Sequence, residues 1–137
     1  MKTDFKAIVV GLGGIGAAAA YWLARRLGSE VLGLEQFEIG HARGASQDHS
    51  RIIRLSYHTP AYVRFAHEAY AAWAVLEAEA GESLIIKTGS LDLAPRNSAL
   101  PLTPYLDSLR ACGVPFELLN SSEVMRALFA QQQPFRE

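Results

Sequence analysis

Apolar residues fall along this chain in runs whose spacing changes from strand-like to helix-like and back. Lys6-Ala7-Ile8-Val9-Val10 is a short apolar run with β-branched residues at its end, which predicts a buried strand. Ala17 to Leu27 is rich in alanine and large apolar residues, a helix composition, and Gly28 stands where that helix should end. Val31 to Leu34 predicts a second strand, closed by Glu35. From Gln36 to Ser50 apolar positions thin out. Gly40, Gly44, Ser46, Asp48 and Ser50 are turn-formers, so this stretch is expected to be loop with room for one short helix.

Arg51-Ile52-Ile53-Arg54-Leu55 favours a strand, because paired isoleucines suit a pleated surface. Thr59-Pro60 reads as an N-cap with proline at the first helical position. Val63, Ala66, Tyr70, Trp73 and Leu76 then recur at helical spacing up to Gly81, predicting a helix of about twenty residues with this stripe in the core and His67 on its surface. Residues 84–88 and 90–94 read as two short strands about Gly89, and 95–101 as loop. Thr103-Pro104 repeats the cap-plus-proline signal for a helix to Ala111, with Gly113 beyond it. Phe116 to Leu119 reads as a short strand, Ser121 or Ser122 as the cap of a helix through Phe129, and residues 131–137 as patternless.

The opening stretch also carries chemistry. Between the first strand and the first helix stands Gly11-Leu12-Gly13-Gly14-Ile15-Gly16. Gly11 permits a tight turn, Gly13 lets a pyrophosphate approach the backbone, and Gly16 lets helix and strand pack closely. The helix amino end offers unpaired N–H groups and partial positive charge. Glu35 falls about 20 residues beyond the turn, where an acid accepts hydrogen bonds from ribose hydroxyls. A carboxylate there repels a 2′-phosphate, which argues against NADP. Strand, glycine turn, helix, strand and acid together predict a dinucleotide site. The glycines alone would fit a ligand-free turn equally well.

Composition narrows the choices. The chain has 137 residues, half of them hydrophobic, and a formal net charge of −1. No basic excess points to nucleic acid. Cys112 is the only cysteine, so no internal disulfide can form; it reads as a helix-end thiol. Ala7 to Ala24 carries no charge and follows Lys2 and Lys6, as in a signal peptide. Asp4 and the interrupting glycines argue against that, and a membrane span wants about 20 apolar residues. A cytoplasmic location, no membrane partner and no metal site are therefore expected. His41, Arg43 and His49 each read most simply as solvated loop, and Arg51 and Arg54 as surface arginines suited to carboxylate or phosphate.

Residues 6–95 resemble the N-terminal third of the monomeric sarcosine oxidase family. That family includes N-methyltryptophan oxidase and peroxisomal sarcosine/pipecolate oxidase, within the wider D-amino-acid-oxidase-like flavoproteins. The residues that carry the resemblance are Gly11 to Gly16, Leu34-Glu35-Gln36, His41-Ala42-Arg43-Gly44-Ala45-Ser46, Ser50-Arg51-Ile52-Ile53-Arg54, Tyr57, Trp73 and Lys87-Thr88-Gly89. It weakens past residue 95, although Val114-Pro115-Phe116-Glu117 and Ser122-Glu123 still fit.

The resemblance implies an α/β fold: a Rossmann-like FAD-binding βαβ unit followed by the start of an interrupting α+β substrate domain, incomplete in this chain. Residues 1–81 would be the N-terminal part of the FAD-binding domain and 82–137 the beginning of the substrate domain. FAD would be held at Gly11, Gly13, Gly14, Ile15, Gly16, Glu35, Gln36, Arg43, Gly44, Ser46, Ser50 and Arg51. Arg51 matches the family arginine against the flavin ring, and Arg54 the arginine that holds the substrate carboxylate. The implied reaction is oxidation of an N-methyl or cyclic secondary amino acid. The electrons pass by way of flavin to dioxygen, giving an imine and hydrogen peroxide.

Sarcosine oxidase proper has a histidine where Gln47 falls, which leaves substrate scope open. The family's flavin-linking cysteine and its later lysines match nothing here, so the chain alone is expected to be inactive. Two other readings stand beside this one: an NAD-dependent dehydrogenase sharing Gly11 to Glu35, and a truncated remnant without catalysis.

Overall fold

A computed structural model describes residues 2–47, 50–95 and 97–130. Asp48, His49, Arg96 and the tail 131–137, each placed in loop or patternless sequence above, lie outside the described residues. The chain divides into two compact units, Met1–Ile52 and Ile53–Glu137.

The first unit is a βαβ element. Strand β1 (Ala7–Val10) leads to helix α1 (Gly14–Leu27), a 3-10 turn (Gly28–Glu30) and strand β2 (Val31–Leu34). The strands pair in parallel, with Ala7 opposite Val31 and Val10 opposite Leu34. Parallel neighbours need a crossover, which α1 supplies. The ladder extends at both ends: Lys6 N–H donates to the Glu30 carbonyl at 2.9 Å and Gly11 N–H to the Leu34 carbonyl at 2.7 Å. Helix α1 begins three residues before its alanine run, with Gly14 and Gly16 already helical. Glycine is a poor helix former, which hides this first turn in the sequence. Arg25 and Arg26 lie in the last turn, at the negative end of the helix dipole.

Strand β1 is covered on one face only. Ala7 and Val9 are half-buried, whereas Ile8 and Val10 are 56% and 81% exposed, so the buried strand expected from the sequence is covered on one face alone. Position 16 fixes how closely α1 meets β1. A Cβ on Gly16 would stand 1.8 Å from the Gly11 carbonyl oxygen.

The second unit is helical. Helix α2 (Pro60–Ala80) runs from the Thr59-Pro60 signal to Gly81, whose φ of 69° closes it in the left-handed conformation. Helices α3 (Thr103–Ala111) and α4 (Ser121–Ala130) follow. α2 packs against α3, and Val63, Ala66, Ser108 and Leu109 are the buried residues of the two helices. Tyr70 and Leu76 are half-buried, but Trp73 is 40% exposed, so the aromatic stripe is only partly core. Helix α3 ends in a Schellman motif: Gly113 N–H donates to the Arg110 carbonyl and Val114 N–H to the Leu109 carbonyl, at 3.1 and 2.9 Å. Half-buried Cys112 closes this helix, its Sγ 3.6 Å from the Pro60 carbonyl oxygen.

The caps differ from those read in the sequence. Thr59 has extended dihedrals but no capping hydrogen bond, and its hydroxyl is buried without a partner among the described residues. Leu102, not Thr103, caps α3. Asn120 caps α4 in place of Ser121 or Ser122. Its Oδ1 accepts the N–H groups of Ser122 and Glu123 at 3.0 and 3.1 Å, and its own N–H donates to Glu123 Oε2 at 2.7 Å. This is a capping box with asparagine in the serine position.

The stretches 51–55, 84–88, 90–94 and 116–119, expected as strands, form none among the described residues, and 36–47 forms no helix. A strand needs a neighbour's ladder, and in two of these stretches backbone groups bond side chains instead. Glu77 Oε1 accepts the N–H groups of Leu84 and Ile85 at 2.7 and 2.9 Å. The Tyr70 hydroxyl donates to the Ile53 carbonyl at 3.0 Å, and the Ser56 hydroxyl to Asp92 Oδ2. The α+β character expected after residue 82 is thus present as helices only. Among the described residues no helix is long and apolar enough to cross a membrane.

Candidate functional site

The carboxyl ends of β1 and β2 and the amino end of α1 meet at the glycine turn. Gly11 turns the chain with φ of 87°, in the region that favours glycine. A Cβ added to Gly11 or Gly13 would meet nothing within 4 Å, so a ligand can approach the backbone there. Gly14 is different: a Cβ would stand 2.6 Å from Ser46 Oγ, because the loop after β2 folds back over the first turn of α1. Helix α1 has no side-chain cap and no acid in its first turn. Among the described residues nothing accepts the N–H groups of Gly14, Ile15 and Gly16. These amides, with the positive end of the helix dipole, form an anion cradle.

Glu35 stands beside it. Its Oε2 accepts Leu12 N–H at 2.7 Å, and its Oε1 accepts the N–H groups of Gln36 and Phe37 at 2.8 and 3.2 Å. His41 Nε2 lies 3.7 Å from Oε1. The Leu12 N–H holds the carboxyl below its ordinary pKa, against the partial burial that raises it; the Phe37 and Gln36 amides and the nearby His41 lower it further. A carboxylate offers about four acceptor positions. Three are occupied by backbone, which leaves room for a ligand hydroxyl. A cavity of about 420 Å³ is lined by Val10, Gly11, Leu34, Glu35 and Gln36.

His41 corrects the sequence reading. It is no solvated loop residue: its side chain is 13% exposed, its ring meets Phe37 edge-on at 5.0 Å, and its Nδ1 accepts the Arg43 N–H at 3.0 Å. The Arg43 guanidinium stacks on the Phe37 ring at 4.5 Å. Histidine and aromatic so close behind the acid were the signal available in the sequence. The Arg51 guanidinium bonds the carbonyls of Ala45, Gln47 and Ser50, tying the loop after β2 to its own end. Gly44 and Ser50 are exposed on that loop.

The structure therefore gathers Gly11, Gly13, Gly14, Ile15, Gly16, Glu35, Gln36 and Ser46 at one place. Arg54 belongs to the second unit. There a cavity of about 330 Å³ is lined by Arg54, Tyr57, His58, Tyr62 and Tyr105. Of these, only Arg54 and Tyr57 stood out in the sequence.

The sequence profile described as FAD dependent oxidoreductase matches residues 6–136. The chain belongs to this family. FAD is the cofactor of these oxidoreductases. A monomeric sarcosine oxidase of Streptomyces avermitilis is 37% identical over 127 residues, covering 92% of this chain and 33% of the relative. A peroxisomal sarcosine oxidase of Homo sapiens is 46% identical over 97 residues, 71% of this chain and 25% of the relative. The monomeric sarcosine oxidase of an Arthrobacter species is 33% identical over 125 residues, 90% and 32% of the two chains. The chain spans about a third or less of the length of these relatives. Its residues suit the family's cofactor, since open backbone at Gly11 and Gly13 and unaccepted amides at α1 match a diphosphate.

Proposed function

We propose that this chain carries the ADP-binding part of the FAD site of an amine oxidase acting on secondary amino acids. The observation that supports the reading best is the open anion cradle of Gly13 to Gly16 beside an ionised Glu35. In this reading the amino end of α1 would hold the diphosphate, and Glu35 would accept a hydroxyl of the adenosine ribose. Gln36 lines the same cavity, while Arg43, Gly44, Ser46 and Ser50 border the diphosphate from the loop. Residues 1–81 act in the FAD-binding domain and 82–137 open the substrate domain.

When bound, FAD supplies the two-electron acceptor. The protein's part is to hold, orient and polarise. Arg51 would supply the cation beside the flavin, where negative charge is stabilised by a fixed donor. Arg54 holds the substrate carboxylate by its planar fork of N–H donors. The overall reaction takes a secondary amino acid and dioxygen to an imine and hydrogen peroxide, and water then hydrolyses the imine. By itself the 137-residue chain forms no peroxide from sarcosine and FAD.

An NAD-dependent dehydrogenase would share the βαβ element. Titration separates the two. FAD added to the purified chain should bind saturably, with a rise in thermal midpoint, while NAD should give neither. Saturable NAD binding without FAD binding would overturn the proposal.

A further inference from the structure

We infer that His41 is a positioning residue for the sugar of the dinucleotide. As one fixed neutral tautomer it holds the Glu35 carboxylate so that Oε2, not Oε1, takes a ribose hydroxyl. The identity of the ligand rests on the FAD reading. The hydrogen bonds around the acid already divide its two oxygens. Oε1 accepts the N–H groups of Gln36 and Phe37, at 2.8 and 3.2 Å. Oε2 accepts, among the described residues, only the Leu12 N–H, at 2.7 Å. Each carboxylate oxygen has two lone pairs, so the open acceptor position is on Oε2. Glu35 lines the cavity beside the glycine turn, where that position is within a ligand's reach.

His41 stands against the filled oxygen. Its Nε2 lies 3.7 Å from Oε1, and both side chains are largely buried. That separation is too long for a hydrogen bond, so the contact acts through charge and dipole, which are little screened at such burial. The other ring nitrogen decides where the proton is. Nδ1 accepts the Arg43 N–H at 3.0 Å. An imidazole nitrogen that accepts carries no proton, so the ring is neutral and its one N–H is Nε2, the nitrogen beside the carboxylate. The Phe37 ring meets the imidazole edge-on at 5.0 Å, and the Arg43 guanidinium stacks on Phe37 at 4.5 Å.

These contacts matter because residues 36–47 form neither helix nor strand. The shape of that loop depends on ties such as those of His41, whose own N–H donates to the Glu38 carbonyl at 3.2 Å. Two of the three amides that hold Glu35 belong to the same loop. Farther on, the loop brings Ser46 over the first turn of α1, at the diphosphate side of the site. One ring thus joins the sugar acceptor to the loop: Nε2–H faces the acid, and Nδ1 holds the backbone at Arg43.

The test begins without ligand. Nitrogen-15 NMR of the histidine-labelled 137-residue protein at neutral pH should show His41 with a protonated Nε2 and an unprotonated Nδ1. A protonated Nδ1 overturns the inference, and this readout needs no variant to fold. Calorimetric titration with ADP and with 2′,3′-dideoxy-ADP then isolates the sugar hydroxyls. The wild type should prefer ADP about tenfold, the scale of a hydroxyl bonded to a charged acceptor. In His41→Leu the two affinities should come within about twofold of each other. His41→Asn keeps an acceptor for the Arg43 N–H but has no donor that reaches Glu35, and should behave like His41→Leu. His41→Gln carries an amide N–H to the place of Nε2 and should restore the preference. A change that merely loosened the loop would weaken both nucleotides alike and leave their ratio untouched. A wild-type ratio in His41→Leu, or a ratio in His41→Gln no higher than in His41→Leu, overturns the role of His41 and leaves the FAD site standing. Wild-type protein that binds neither nucleotide, or shows no preference for ADP, overturns the sugar-site reading and the role of His41 together.

Discussion

The Glu35 carboxylate accepts the Leu12 backbone N–H at 2.7 Å, across 23 residues of chain. One hydrogen bond thus ties the glycine turn after β1 to the end of β2. It also keeps the acid ionised where a ligand hydroxyl would need an acceptor.

This bond makes stability depend on acid. The Leu12 N–H, aided by Phe37, Gln36 and His41, holds the Glu35 pKa in the folded chain below its ordinary 4.5. The unfolded chain therefore binds the proton more readily. The contribution is fully present above about pH 4.5 and disappears as pH falls through the lower folded value. Glu77 is lowered in the same direction, chiefly by the N–H groups of Ile85 and Leu84. Thermal midpoints should be flat above this window and drop within it. Glu35→Gln should lie below the wild type at neutral pH and show a shallower acid fall. Parallel curves for the two proteins in differential scanning fluorimetry would show that the bond is silent.

Gly13→Ala separates cofactor binding from folding. The added Cβ meets nothing within 4 Å, and the residue already has a φ of −65°. Stability should change by no more than about 1 kcal/mol, the scale of an N-cap substitution. FAD affinity should fall by about tenfold or more, because the methyl stands where a diphosphate would approach. Unchanged affinity would move the diphosphate elsewhere.

The two helix caps predict opposite responses. Asn120→Ala removes the acceptor of two N–H groups and should cost about 1 kcal/mol. Thr59→Val removes a buried hydroxyl that has no partner among the described residues and performs no capping. It should raise stability by roughly 1 kcal/mol. A loss on Thr59→Val, measured by urea unfolding, would mean that Thr59 caps α2 after all.

Val63→Ala probes the small core of the second unit. Val63 is fully buried. Removing its methyl groups should cost about 2 kcal/mol. Phe65→Ala, on an exposed side chain one turn face away, should change stability by less than about 0.5 kcal/mol.

The βαβ element was legible because glycine spacing, alanine content and a terminal acid are all local signals. α2 was legible in the same way, from Thr59-Pro60 to Gly81. What escaped was anything that depends on a distant partner. Residues 84–88 open with three apolar residues as a strand would, yet Glu77 holds the N–H groups of Leu84 and Ile85, and Ile86 is exposed. Spacing located Glu35 but did not show its oxygens folding back on Leu12, Gln36 and Phe37. The α4 cap was misplaced for a narrower reason. Ser121 and Ser122 are both good capping residues, but the glutamate at position 123 completes the box only with Asn120. The pocket of Arg54 and three tyrosines was invisible because α2 and α3 bring Tyr62 and Tyr105 together from 43 positions apart.

Gly16 carries a warning for anyone who mutates this turn and looks for yellow protein. With the Gly11 carbonyl oxygen standing where a Cβ would go, even alanine there collides with main chain rather than with cofactor. Colour would vanish because the turn no longer closes, and a library sorted on absorbance would score the position as a flavin contact. Second-site revertants would restore colour by reshaping the peptide between Gly11 and Leu12, leaving the cradle's own chemistry untouched.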